Sequence, residues 1–341
     1  AKKRISESAG SSESSQTAAT LVDEIDSPWI AVIHADGNGI GNIFSNLARY
    51  LPPENEKYID GYQAFSLALE TATERALLKT MQYVIDPGGT GKNGGDPIVY
   101  PIVLGGDDIT VIARADIALE FAKTYLQEFE TGSKEAAKVL RKHARPENCT
   151  SIPEYFTASA GVAFVKSHYP FFAAYELSEQ LLKSAKKTKP EPALDFHVLH
   201  DSNGSDLRTI RRRRKADDGV DLFGGPYLTT HTTNGGTYRT LDGLWELVEI
   251  LRSSDDTLPR GQIRELRTAL TEGVAAAKAR LSNMKCLYPK NGRFFEQLAD
   301  LDRAEDKATH SSWLLDIIDC VDIIQKNMPA AKISGIKVPG S

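Results

Sequence analysis

The sequence predicts an α+β protein, a ferredoxin-like βαββαβ sheet followed by a small α-helical domain. Three observations carry this. Up to about residue 200, short apolar runs rich in β-branched residues alternate with longer stretches of helical periodicity. Two of the runs are joined by Gly-Gly-Asp-Asp at 105–108, the composition of a hairpin turn. After residue 240 the strand-like runs cease and helical periodicity takes over.

Residues 1–27 are rich in Ser, Ala and charge, with little to bury, and read as a disordered tail. Residues 29–35, Trp-Ile-Ala-Val-Ile-His-Ala, form a short apolar run suited to a buried strand. It leads into Asp36-Gly-Asn-Gly-Ile-Gly41. Across 61–84, Phe65, Leu69, Ala72 and Ala76 recur at helical spacing. A Gly-rich loop at 86–96 precedes the hairpin, whose strands are 98–104 and 109–112 and whose glycines are expected to supply positive φ. A helix over 115–130 carries Ala118, Phe121, Ala122, Tyr125 and Phe129 on one face; 134–147 reads as a separate, charged and solvated helix.

A strand at 156–165, a helix at 171–187 with Leu177, Leu181 and Ala185 on one face, and a strand at 194–199 complete the sheet. Strand, helix, hairpin, helix, strand is the βαββαβ order, with one helix and strand appended. The expected divisions are a tail at 1–27, the sheet domain at 28–204, a linker at 205–240 and a helical domain at 241–330. The last contains helices near 241–252, 259–283 and 311–326.

Of the 341 residues, 41% are hydrophobic and 26% charged, and the net charge is −5, ordinary for a soluble globular protein. That balance argues against nucleic-acid binding by the whole surface. Cys149, Cys286 and Cys320 show no CxxC spacing, which excludes a zinc ribbon or disulfide framework and fits a reducing cytoplasm. No apolar run approaches the roughly 20 residues that span a bilayer. A cytoplasmic protein with no membrane partner is expected.

The chemistry gathers at one sheet edge. Asp36 ends the first strand, and Asp107 and Asp108 sit at the hairpin tip; strands one and three are central neighbours in this topology. Adjacent carboxylates are costly without a cation or full solvation. Hard oxygen ligands suit Mg²⁺ or Mn²⁺. Three convergent carboxylates imply two ions per site, one activating a 3′ hydroxyl and the other holding a triphosphate. Gly37, Asn38 and Gly39 let backbone approach phosphate closely, and Lys183 and Lys186 on the helix after the Ser-Ala-Gly strand could neutralise its charge. For either lysine the competing reading is a solvated surface position.

Other motifs fail. Gly37-Asn-Gly-Ile-Gly41 is one residue short of the dinucleotide fingerprint, and Thr90-Gly-Lys92 is followed by Asn93 where a P-loop needs Ser or Thr. His34 reads as a core histidine and His200-Asp201 as a structural pair. The basic run Arg211-Arg-Arg-Arg-Lys215 reads as a solvated loop, with RNA binding as its competitor.

The linked motifs resemble one family, the palm-bearing large subunit of type III CRISPR effector complexes, related to diguanylate cyclases. The resemblance is to its second, Gly-Gly-Asp-Asp-carrying palm, through residues 30–41, 100–108, 156–163, 175–187 and 193–197. Gly-Pro-Tyr at 225–227 and the stretch 258–267 resemble its C-terminal helical domain. The resemblance implies a nucleotidyltransferase that condenses ATP into cyclic oligoadenylate or cyclic dinucleotide messengers in antiviral defence. It implies metal binding at Asp36, Gly37, Asp107 and Asp108, with the three aspartates catalytic, and nucleotide binding at Gly37, Asn38, Gly39, Gly105, Gly106, Ser159, Lys183 and Lys186. Lys186 would contact triphosphate and Gly105 and Gly106 would shape the tip. Asn38 stands where many members carry a second aspartate.

That family builds its site between two palms. These 341 residues show no His-Asp nuclease domain, no first palm and no zinc-binding cysteines, so a homodimer is expected. RNA or CRISPR-type effector subunits are further candidate partners. The alternative function is a non-catalytic RNA- and protein-binding part of such a complex.

Overall fold

A computed structural model describes residues 28–85, 99–200, 206–229, 239–253, 258–289, 295 and 312–323. The tail at 1–27 and the Gly-rich loop at 86–96 lie outside the described residues.

The βαββαβ order is observed. Strand β1 (Trp29–Gly37) is followed by two short helices, α1 (Ile40–Ser45) and α2 (Leu47–Tyr50), and by the long α3 (Asn55–Ile85). The hairpin strands are β2 (Val99–Gly105) and β3 (Asp108–Arg114); α4 (Ala118–His143), β4 (Ala158–Lys166), α5 (Phe171–Ala185) and β5 (Ala193–Val198) follow. The chain continues through α6 (Leu207–Arg213), β6 (Tyr227–Leu228), β7 (Arg239–Thr240), α7 (Leu241–Ser253), α8 (Arg260–Glu272), α9 (Val274–Leu287) and α10 (Leu314–Ile323).

Among the described residues the strands form one sheet, in the order β2-β3-β1-β4-β5-β6-β7. β1 lies antiparallel to both β3 and β4, which makes it central, and β5 joins β4 in parallel through α5. β1 and β4 are buried nearly throughout, as expected for apolar strands covered on both faces. One face packs on α3 and α4, where Phe65, Leu69, Phe121, Tyr125 and Phe129 are fully or almost fully buried. The other is crossed by α5 at a position only glycine can occupy. A Cβ on Gly161 of β4 would collide with the Ser178 carbonyl oxygen and the Leu182 nitrogen of α5.

Three expectations need correcting. The charged 134–147 segment is not a separate helix: α4 runs unbroken from 118 to 143, and Ala136, Ala137 and Leu140 are buried. Ser133, between the two expected segments, accepts from the Phe156 N–H at 2.9 Å and donates to its carbonyl at 2.8 Å. Second, the helix expected over 259–283 is two helices, divided at Gly273, whose φ of 124° leaves the helical region. Third, the basic run is not a solvated loop. Arg211–Arg213 close α6, Arg211 donates to the buried Asp195 at 2.5 Å and stacks on the Phe223 ring 4.4 Å away, and Arg214 reaches the buried Asp319 at 2.5 Å. Arg212 and Arg213 are exposed.

Between 205 and 240, where a linker is expected, the chain carries α6, β6 and β7, the strands continuing the sheet beyond β5. One continuous apolar cluster includes Phe65 and Phe129 of the first part and Leu244, Val248, Leu266 and Ile317 of the last. No helix among the described residues is long and apolar enough to cross a membrane.

Candidate active site

The register of the central strands builds the site. Asp36 of β1 lies opposite Asp108 of β3 and opposite Ser159 of β4. Directly opposed residues of neighbouring strands share a sheet face. Asp36, Asp108 and Ser159 therefore line the α5 side at one end of the sheet. Asp107 sits in the turn, where Gly105 pairs with Asp108. Its carboxylate accepts from the Gly37 N–H, and a Cβ on Gly37 would meet Asp107 Oδ2 at 2.7 Å. Gly37 is glycine because the Ile40 side chain and the Asp107 carboxylate occupy its side-chain space.

The tip itself departs from expectation. Gly105 and Gly106 do not adopt positive φ; Gly39 does, at 76°, as it turns the chain into α1. Gly105 is needed for space, since a Cβ there would lie 2.5 Å from Asp108 Oδ1, whereas one on Gly106 would meet nothing within 4 Å. The Gly106 carbonyl accepts from Thr73 Oγ1 of α3 at 2.8 Å, which ties the tip to the helical layer. Tyr125 of α4 is buried, and burial with the Asp107 and Asp108 charges pushes its phenol up, so it stays neutral.

Electrostatics at the tip favour a positive charge. Burial, then the neighbouring Asp108, raises the Asp107 carboxyl to about 6. Lys186 supplies one positive charge: its ammonium donates to Asp36 Oδ2 and, at 3.1 Å, to the Gly37 carbonyl. Burial and nearby Lys189 lower Lys186 to about 8. Beneath Asp108, His34 Nδ1 lies 2.9 Å from Thr110 Oγ1 and 3.2 Å from the Ile109 carbonyl, and its ring packs 5.4 Å from Tyr175. Burial lowers the His34 pKa, as a core histidine requires.

Asn38 is bonded to the start of β4. Its amide donates to Thr157 Oγ1 at 3.0 Å, its carbonyl accepts from Ser159 Oγ at 2.9 Å, and its backbone N–H bonds the Thr157 carbonyl at 2.7 Å. Ser159 is fully buried behind it. Both act by fixing the loop after β1. Lys183 is mostly exposed and lies 3.6 Å from Glu179 of its own helix, away from the carboxylates. The structure thus brings together Asp36, Gly37, Asp107, Asp108, Gly105 and Lys186, and leaves Lys183 outside. Thr73 and Thr157 are the additions; a threonine on a long helix and one before a strand carry no sequence signal of such contacts.

Among the described residues no three carboxylate, imidazole or thiol side chains gather closely enough to hold an ion. The three carboxylates share one sheet edge without the closed convergence expected of them; Asp36 is engaged by Lys186 and Asp107 by Gly37. The donor chemistry still fits a hard cation. Two registered carboxylates, a third beside them and the Gly37 carbonyl all offer oxygen, and a positive group already lies on two of them.

An antiparallel hairpin bearing adjacent aspartates, set against a central strand ending in aspartate, defines a palm domain of the nucleotidyl cyclase and polymerase type. Residues 29–193 match the family model described as Cas10/Cmr2, second palm domain, and this part of the chain is similar to a palm of that family. The expected likeness of 225–227 and 258–267 to the C-terminal helical domain falls beyond the matched residues. No curated protein matches the chain. Similar solved structures include a Csm1-Csm4 cassette in complex with cA4, at 14% identity and TM-score 0.46, covering 88% of this chain and 37% of that one. Csm1 of T. onnurineus matches at 13% identity and TM-score 0.43, over 86% of this chain and 38% of that one. The GGEEF domain of a diguanylate cyclase from Vibrio cholerae matches at 15% identity and TM-score 0.32, over 56% of this chain and 94% of that one. The chain thus spans little more than a third of the length of the Csm1 chains it matches.

Proposed function

We propose that the chain is a metal-dependent nucleotidyltransferase that condenses ATP into cyclic oligoadenylate or a cyclic dinucleotide, a messenger in antiviral defence. The observation that carries this reading is the registered pair Asp36 and Asp108 on adjacent central strands, with Asp107 beside them and Lys186 above. In the reaction a 3′ hydroxyl attacks an α-phosphate and pyrophosphate leaves. Bound Mg²⁺ or Mn²⁺ supplies the Lewis acidity that eases loss of the hydroxyl proton and neutralises charge on the leaving group. Asp36, Asp107, Asp108 and the Gly37 carbonyl would hold such ions. Gly37 and Gly39, without side chains, admit the triphosphate close to backbone, and Asn38, braced by Thr157 and Ser159, keeps that loop in place. Lys186 sets a positive charge where phosphate oxygens arrive.

Cyclisation joins two nucleotides end to end, and one palm presents a single acidic edge. The proposed active form is a homodimer with nucleotides held between facing palms. Against the alternative of an RNA-binding scaffold stands the inward pairing of Arg211 and Arg214. The test is chromatography of labelled ATP and GTP incubated with the protein and Mg²⁺ or Mn²⁺. Pyrophosphate and a phosphatase-resistant product from ATP, absent with Asp107→Ala/Asp108→Ala, are expected. Product from the double variant would refute the assignment.

A further inference from the structure

Lys186 is the first residue after α5, and its position raises a question the reaction alone does not answer. Its ammonium donates to Asp36 Oδ2 and to the Gly37 carbonyl oxygen. These are two of the oxygens that the proposed function assigns to a divalent ion. A cation cannot occupy that point while the ammonium does. Lys183, one turn earlier, does not share this role, since it faces Glu179.

The surroundings show which parts can move. The Lys186 backbone is helical, with φ −65° and ψ −3°, directly after a helix clamped to the sheet at Gly161. Four methylenes link that fixed backbone to the ammonium, so the charged end can swing while its anchor stays. The Lys186 side chain is 18% exposed and that of Asp36 32% exposed, so the pair is reachable from solvent. Asp107 keeps its own partner, the Gly37 N–H, and Asp108 has no ammonium within the salt-bridge distances found among the described residues.

We propose that Lys186 is a resident counter-ion for Asp36 and the Gly37 carbonyl, displaced when a divalent cation binds and thereby freed to meet the substrate's phosphates. The inference rests on the metal-binding reading above. Lys186 then does two things in turn: it neutralises the site when no metal is present, and it follows the charge outward when metal and triphosphate arrive. Metal entry is a competition in which the lysine weakens the intrinsic affinity, and triphosphate restores it by giving the ammonium a new partner.

Mn²⁺ binding without nucleotide, followed by electron paramagnetic resonance and by calorimetry, tests this without any activity readout. Lys186→Met is expected to bind Mn²⁺ about tenfold more tightly than the native chain, the size of one charge-assisted hydrogen bond. Lys186→Arg, which keeps the charge, is expected to bind as the native chain does, and Lys183→Met likewise. Asp36→Asn/Lys186→Met is expected to lose the gain. Equal Mn²⁺ affinity in the native chain and in folded Lys186→Met, both lost with Asp107→Ala/Asp108→Ala, overturns the displacement and leaves the metal site standing. Absence of Mn²⁺ binding in every variant overturns both. Circular dichroism establishes that each variant is folded.

Discussion

At the hairpin tip, two neighbouring glycines that look equivalent in sequence have different duties. Gly105 leaves room for the Asp108 carboxylate, and Gly106 faces open space with its carbonyl held by Thr73. Gly105→Ala is expected to push Asp108 out of register with Asp36 and to lower turnover by about a hundredfold, the usual cost of misplacing a reacting group by an ångström. Gly106→Ala is expected to keep activity within about twofold. Equal losses in the nucleotide assay would contradict this division. The acidic residues themselves were legible, because Asp36, Asp107 and Asp108 stand at strand ends flanked by apolar runs. The glycine roles were not, since turn composition suggests positive φ whereas the structure uses the missing side chain. The bonding of Asn38 to the start of β4 was equally hidden, for it depends on which β4 residue lies opposite β1, a pairing across more than a hundred residues.

Among the elements, α3, α4, α5, β1, β3, β4 and β5 were readable from periodicity, because each buries one face or both, and β2 from its β-branched composition, since of its residues only Val99 is buried. The end of α4 was misread because Thr131-Gly-Ser133 looks like a stop and the charged stretch after it looks solvated. Ser133 instead stitches the helix to the backbone of Phe156 before β4. The basic run was misread for a different reason: the acids it neutralises lie in β5 and α10, remote in sequence. Arg214 faces both Asp316, at 3.5 Å, and Asp319, at 2.5 Å. Arg214→Ala strands two buried carboxylates and is expected to destabilise the fold by about 3–5 kcal/mol. Arg212→Ala, on an exposed side chain, is expected to change stability by less than about 0.5 kcal/mol. Thermal or urea unfolding of the two variants makes the comparison, and similar midpoints would refute the structural role of the run.

Across the whole molecule, α10 is joined to the sheet by a buried polar network. Asp316 accepts from the Gly224 N–H and the Tyr227 hydroxyl, both at 2.7 Å, and Asp319 is bonded by Arg214, Arg267 and His200. Burial alone would raise both carboxyls. For Asp319, Arg214, His200 and Arg267 more than offset it and hold the pKa below the usual range, whereas Asp316 stays raised, at about 6. A carboxyl raised in the folded state binds its proton more tightly there than in the unfolded chain. Its contribution to stability is thus greatest below about pH 4 and is lost as pH rises toward 6. Asp316→Asn, which keeps an acceptor and cannot ionise, is expected to gain on the native protein across that window by up to about 3 kcal/mol. Unfolding midpoints of the two proteins at pH 4 and pH 7 measure it; a constant difference would show that Asp316 does not titrate in the fold. The clamp of α5 onto β4 at Gly161 has a consequence for speed. Because the helix backbone rests on the strand with no side chain between them, charge at the acidic edge is rearranged by rotation about single bonds. Such rotations take picoseconds to nanoseconds, where loops and lids take microseconds or longer. On the proposed displacement of Lys186, cation entry needs no hinge motion.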